Sequence, residues 1–296
     1  MTTPPYLKKG DKIGIVAPAR KISEAEIQFA VDTFVKWGLK VVFGKNLFGN
    51  ENQYSGSDEQ RAEDFQTMLD DDSVKAIISA RGGYGTLRII DKLNFSAFKA
   101  NPKWIIGYSD ITVLHSHIHW TFDIATLHST MPINFSKDEE SVETLRKSLF
   151  GEKISYEIPS HKLNRKGNAI GEIVGGNLSL LYALQGSVSD ISTESKILFI
   201  EDLDEYLYHI DRMMVSLKRS DKLSKLVGLV VGGMSEMKDN QIPFGKTAEE
   251  IILDAVREYE YPVCFDFPAG HQTKNLALVF GRKARLSVGQ NVILTY

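Results

Sequence analysis

The chain has 296 residues, 43% hydrophobic and 25% charged, with 35 basic against 38 acidic side chains and a formal net charge of -3. Such a chain folds as two domains or one large α/β domain, which excludes a disordered, collagenous or coiled-coil protein. No basic surplus points to a nucleic-acid or anionic-membrane partner. The single cysteine, Cys264, excludes an internal disulfide framework and fits a reducing compartment. The start shows no apolar run behind a basic segment, and no stretch approaches ~18 consecutive apolar residues. The expectation is a cytoplasmic protein without a membrane span.

Residues 12–18 read as a buried strand ending in a proline turn. Ser23 and Glu26 form a capping box for a helix running to about Gly38. A strand at 39–43, a helix at 58–70, a strand at 74–79 and a helix at 84–92 follow. Next come a strand at 104–107 and a helix at 111–121. This alternation implies βαβ units and a parallel sheet. The texture then changes to a charged helix at 137–147, a short strand at 154–158 and a polar, basic stretch at 159–168. Beyond a glycine-rich run at 171–177, helices are expected at 178–185, 206–219 and 247–258. Strands are expected at 196–200, 226–231, 262–265, 284–288 and 291–296. The expected fold is α/β, with an open, mostly parallel, helix-flanked sheet of flavodoxin or Rossmann type over 1–150. A linker at 151–168 leads to a smaller C-terminal α/β or β-rich domain over 169–296.

The chemistry concentrates at four places. In Ile105-Ile106-Gly107-Tyr108-Ser109-Asp110-Ile111 a strand runs into a turn with a serine at its tip and a helix directly behind. That is the layout of a nucleophile elbow, in which the strained turn lifts the hydroxyl and the next amide can face an oxyanion. The fifth position of G-x-S-x-G is Ile111, so the match is partial, and an ordinary helix cap at Ser109 or Asp110 is the plain alternative. The strand at 196–200 ends in Glu201-Asp202, where open α/β sheets place functional groups. The polar loop Gly270-His271-Gln272-Thr273-Lys274-Asn275 carries the one histidine of the last 80 residues. In that order His271 would deprotonate Ser109 and Glu201 would hold the imidazole. Arg81-Gly82-Gly83-Tyr84-Gly85 is a glycine-rich turn able to hold an oxyanion or phosphate, but it fits neither nucleotide-binding spacing.

These segments together resemble the L,D-carboxypeptidase family of serine peptidases, which includes muramoyltetrapeptide carboxypeptidases and microcin C immunity peptidases. The resemblance rests on the segments above with residues 10–18, 171–177 and 206–213, in order along nearly the whole chain. It implies a catalytic set of Ser109, Glu201 and His271. It also implies an oxyanion hole from the amides of Asp110 and a glycine of the Arg81 turn, taken as Gly83 with Gly82 the alternative. The first domain would carry the nucleophile and the second the acid and base, with the site in the cleft between them. A murein tetrapeptide as substrate, a homodimer and a place in peptidoglycan recycling follow from the resemblance alone. No cofactor, no metal and no nucleic-acid or membrane partner are expected.

Several alternatives stand beside this reading. Asp202, Asp204 and Glu205 compete with Glu201, and strand parity turns Asp202 away from a site that Glu201 faces. Ser96-Ala97-Phe98-Lys99 fits S-x-x-K but lacks the companion motifs. His115, His117 and His119 alternate as metal ligands would on a strand, but on a helix His117 leaves the other two. Tyr206, Tyr208, His209 and Arg212 read as helix packing and a surface pair. Arg81, Lys274 and Arg212 are candidates for a substrate carboxylate. A microcin-type peptidase cutting a peptidyl or aminoacyl nucleotide, or a non-catalytic α/β anion-binding protein, are the other functions considered.

Overall fold

A computed structural model describes residues 1–296. The first half is built on short apolar strands buried on both faces, as parallel sheets require. Strands β1 (Lys12–Val16), β2 (Lys40–Phe43), β3 (Val74–Ser79), β4 (Trp104–Gly107) and β5 (Thr126–His128) lie in the order β2-β1-β3-β4-β5, all parallel. The chain therefore reverses direction across the sheet between β1 and β3. Helices α1 (Glu24–Lys36), α2 (Asp58–Asp70), α3 (Thr86–Ile89), α4 (Ser96–Ala100) and α5 (Thr112–Phe122) connect them. The α1 start is fixed as its sequence suggests, since the Ser23 backbone N–H and hydroxyl both donate to the Glu26 carboxylate.

After α6 (Glu139–Leu149) the chain builds a second, mixed sheet. Its strands are β6 (Ser155–Pro159), β7 (Gly167–Asn177), β8 (Ile197–Leu203), β9 (Gly228–Ser235), β10 (Val263–Cys264), β12 (Lys283–Val288) and β13 (Asn291–Thr295). The order is β10-β9-β8-β7-β12-β13-β6, parallel from β10 to β7 and antiparallel beyond. Helices α7 (Leu178–Ala183), α8 (Leu207–Arg219) and α9 (Ala248–Ala255) accompany it.

The two halves interlock more than the sequence suggested. Strand β11 (Leu278–Phe280) leaves the C-terminal half and pairs antiparallel with β5, closing the edge of the first sheet. The stretch 151–168, expected as a linker, supplies β6 as the outer strand of the second sheet. Its exposed–buried alternation is that of an edge strand with one face on the core. One apolar cluster runs through both sheets, joining Ile13, Ile78 and Ile106 to Phe199, Val230 and Leu278. The carboxyl ends of β4 and β8 are thereby held facing one cleft.

Candidate active site

The turn after β4 is strained in the way an exposed nucleophile requires. Ser109 has φ of 64°, a left-handed conformation unusual for a non-glycine residue, and opens a short helical turn whose cap position is Tyr108. Gly107, at φ 153°, must lack a side chain, because a Cβ there would lie 2.7 Å from Ile111 Cγ1. Ile111 thus packs over the space that Gly107 leaves, which accounts for a bulky residue at the fifth position of the motif. Behind the turn, His115 Nε2 meets the Gly107 carbonyl at 2.9 Å and Nδ1 meets the Thr126 hydroxyl at 2.8 Å. A carbonyl only accepts, so Nε2 carries the proton. Complete burial lowers this imidazole to about 4, keeping it a neutral brace.

Glu201 ends the apolar face of β8 and is fully buried. Its Oε2 accepts from His271 Nδ1 at 2.6 Å and from the His271 backbone N–H at 3.0 Å. Gly270 presses on the same carboxylate side chain, since a Cβ there would come within 2.6 Å of Glu201 Cγ. With its Nδ1 proton committed to the carboxylate, His271 offers the Nε2 lone pair to Ser109 Oγ at 3.0 Å. Burial alone would lower the His271 pKa. The charge of Glu201 and its hydrogen bond outweigh burial and raise it above the ordinary imidazole value. Ser109, His271 and Glu201 therefore form one line of hydrogen bonds across the two halves of the chain.

The glycine turn lies against this line. A Cβ on Gly82 would sit 3.0 Å from Ser109 Cβ and 3.2 Å from its Oγ, so any side chain there would crowd the serine. Asp110, buried just behind the serine, accepts the Thr86 N–H at 2.8 Å and ties this turn to the elbow. Burial raises the Asp110 carboxyl above its usual range. The surrounding cleft has a volume of about 480 Å³ and brings Gly82, Gly83, Ser109 and His271 to one wall system.

Asp202 points elsewhere. Its oxygens accept from Asn177 Nδ2 at 2.8 Å and the Ser179 N–H at 2.9 Å, at the start of α7, rather than from His271. It still reaches the cleft surface, which strand parity alone did not indicate. Asp204 pairs with Lys238 and Glu205 with His209. The three histidines of α5 diverge: His115 braces the elbow, His117 bonds Ser189 Oγ at 2.9 Å, and His119 lies 3.7 Å from Glu172. Ser96 and Lys99 are exposed on α4. Arg212 stacks on Tyr208, and Lys274 pairs with Glu140 outside the cleft.

Two supporting residues escaped the sequence reading. Asn275 Oδ1 accepts the Gly270 N–H at 2.8 Å and so closes the loop that carries His271. Its place at the end of a polar glycine-led loop is the kind of position where an asparagine side chain bonds nearby backbone. Tyr108 packs its ring 5.0 Å from that of His271, and its hydroxyl accepts from Asn134 at 2.8 Å. Burial pushes this phenol up to about 12, so it remains protonated.

A serine hydroxyl, an imidazole and a buried carboxylate in line, on a two-sheet α/β fold, are the equipment of a serine hydrolase. Residues 13–129 match the model of the LD-carboxypeptidase N-terminal domain, and residues 170–286 that of the LD-carboxypeptidase C-terminal domain. The chain is 34% identical to a probable murein peptide carboxypeptidase of Bacillus subtilis (strain 168), covering 97% of this chain and 92% of the relative. It is 25% identical to the murein tetrapeptide carboxypeptidase of Pseudomonas aeruginosa, covering 93% and 92%. The structure of the microcin C7 self immunity protein MccF shares the fold, with a TM-score of 0.89 at 22% identity over 99% of this chain and 98% of that one. The protein belongs to the LD-carboxypeptidase family and is a serine carboxypeptidase.

Proposed function

We propose that the protein removes the C-terminal D-alanine from a murein tetrapeptide, with Ser109 as nucleophile, His271 as general base and acid, and Glu201 as the residue that holds His271. The observation that carries the assignment is the continuous line Ser109 Oγ, His271 Nε2, His271 Nδ1, Glu201 Oε2. The murein substrate is supported by the names of the Bacillus and Pseudomonas relatives.

In this reading Ser109 Oγ attacks the scissile carbonyl as His271 Nε2 takes its proton. The imidazolium so formed faces the buried Glu201 carboxylate, which balances its charge. The amides of Asp110 and Gly83 donate to the oxyanion. His271 then gives the proton to the nitrogen of the departing D-alanine, leaving an acyl-enzyme on Ser109. A water deprotonated by His271 attacks the ester, and the returning proton restores the serine. The domain division belongs to the same proposal: residues 1–150 bring the nucleophile, residues 169–296 the acid and base, and neither part alone is active. A homodimer acting in the cytoplasm, in peptidoglycan recycling, completes it; no helix is long and apolar enough to cross a membrane. Incubation with murein tetrapeptide and with a peptidyl nucleotide, followed by mass spectrometry, tests the function. Release of D-alanine from the tetrapeptide is expected; cleavage of the nucleotide conjugate alone would assign the protein to microcin-type chemistry instead.

A further inference from the structure

A carboxypeptidase must hold a free carboxylate beside the scissile bond, and a cation forming a charged hydrogen-bonded pair is the strongest partner for it. That carboxylate carbon lies only roughly 4 Å from the scissile carbonyl carbon, because a single nitrogen and one Cα separate them. Its partner must therefore line the cleft around Ser109. Lys274 and Arg212 are outside the cleft and engaged with Glu140 and Tyr208. Three cations line the cleft: Arg20, Arg81 and Lys137. Arg81 donates from one guanidinium nitrogen to the Lys21 carbonyl at 3.3 Å and feels the charge of Glu26, while its Nε is buried without a partner.

Arg20 is placed differently. It follows β1, and the Gly82-Gly83 turn follows β3, so the two loops flank the point where the strand order reverses. Ligands of open α/β sheets bind at that point, beyond the carboxyl ends of the strands. The Arg20 stem lies directly on Gly83: a Cβ at Gly83 would come within 2.5 Å of Arg20 Cγ and 2.7 Å of Cδ. Gly83 also has φ of 125°, a backbone conformation that favours glycine. The neighbouring Gly82 touches Ser109. A backbone bridge between Arg20 and Tyr54 fixes the base of the side chain. Arg20 is exposed, and its guanidinium makes no ion pair or side-chain hydrogen bond within the fold, which leaves its donors for a ligand.

Building on the carboxypeptidase reading above, we infer that Arg20 receives the terminal carboxylate of the departing residue as a two-pronged ion pair, and so sets the preference for a free C-terminus. The planar fork of an arginine matches a carboxylate in a way that a lysine does not. Lys137 also lines the cleft, but it sits on the turn after Asn134 and not at the strand reversal.

The test compares tetrapeptide ending in D-alanine with the same peptide ending in D-alaninamide. Turnover is measured with Ser109 present, and binding by calorimetry in a Ser109→Ala background. The acid should be preferred by both measures. Arg20→Gln should weaken acid binding about ten- to a hundredfold and bring it near the amide, the usual range for a charged hydrogen-bonded pair. Arg20→Lys should fall between, and Lys274→Gln should keep the original preference. An unchanged acid-to-amide ratio in Arg20→Gln, or a ratio that collapses in Lys137→Gln instead, overturns the inference. So does equal binding of acid and amide by the Arg20 enzyme. Failure of the proposed function is separable: the acid would then bind preferentially but not be cleaved. Binding of neither peptide overturns both.

Discussion

Replacing Glu201 by glutamine separates charge from geometry. Both hydrogen bonds from His271 arrive on one carboxylate oxygen, Oε2, while Oε1 is buried without a partner. A glutamine can place its carbonyl oxygen where Oε2 lies and its NH2 where Oε1 lies, keeping the imidazole orientation but losing the negative charge. At an effective dielectric of about 20, a carboxylate and an imidazolium roughly 4 Å apart attract by about 4 kcal/mol. Losing that attraction in the transition state predicts a fall in kcat of about a thousandfold, with KM little changed. The pH profile must move too. His271 acts as base only when neutral, so kcat/KM rises with pH through its pKa. Burial lowers that pKa and Glu201 raises it, the latter prevailing. Without the carboxylate, burial is opposed only by the weaker influence of Asp202, so the acid limb should shift to lower pH. Rates with murein tetrapeptide between pH 4.5 and 9 measure both effects. A glutamine enzyme within tenfold of the parent, with an unmoved acid limb, would refute the role given to Glu201.

Asp202→Asn should cost far less activity than Glu201→Gln, because Asp202 bonds Asn177 and Ser179 and not the imidazole. Burial, with the adjacent Glu201 charge, raises Asp202 to about 7, so the folded state binds its proton more tightly than the unfolded chain. Its effect on stability is therefore a loss, by up to about 4 kcal/mol, as pH rises from near 4 to near 7. Denaturant unfolding at pH 4.5 and 7.5 should show a flatter dependence in Asp202→Asn, and an identical slope would contradict this. Asn275→Ala leaves the Gly270 N–H without its partner; kcat should drop about tenfold and stability by about 1–3 kcal/mol, read from kinetics and chemical denaturation. Chelators should leave the rate unchanged, and a loss that zinc restores would point to a metal that this account does not contain.

The first sheet was legible because β1, β3 and β4 are short apolar runs divided by helices with visible caps, as Ser23 and Glu26 show. The elbow was legible too, because strand, Gly107, Ser109 and helix are contiguous. What the chain conceals are contacts made by distant pieces. Strand β11 is three residues long and acquires strand character only by pairing with β5. The glycines of β7 masked a strand of eleven residues, because they mark close approaches to β8 and α5 rather than a turn. The side-chain roles of Asp110 and Asn275 depend on the Thr86 and Gly270 amides, whose positions only the folded chain fixes. Asp202 shows the limit of parity arguments: it turns from His271, yet it lines the cleft, beside an irregularity in the β8–β9 register between Ile200 and Asp202.

The central claim is that Ser109, positioned by a strained turn and hydrogen-bonded to His271, is the nucleophile. The most direct test is the release of D-alanine from murein tetrapeptide by Ser109→Ala beside the parent enzyme, with thermal unfolding of both. The alanine enzyme should melt within a few degrees of the parent and release no D-alanine above the uncatalysed background. A folded Ser109→Ala enzyme retaining more than a few per cent of the parent rate would contradict it.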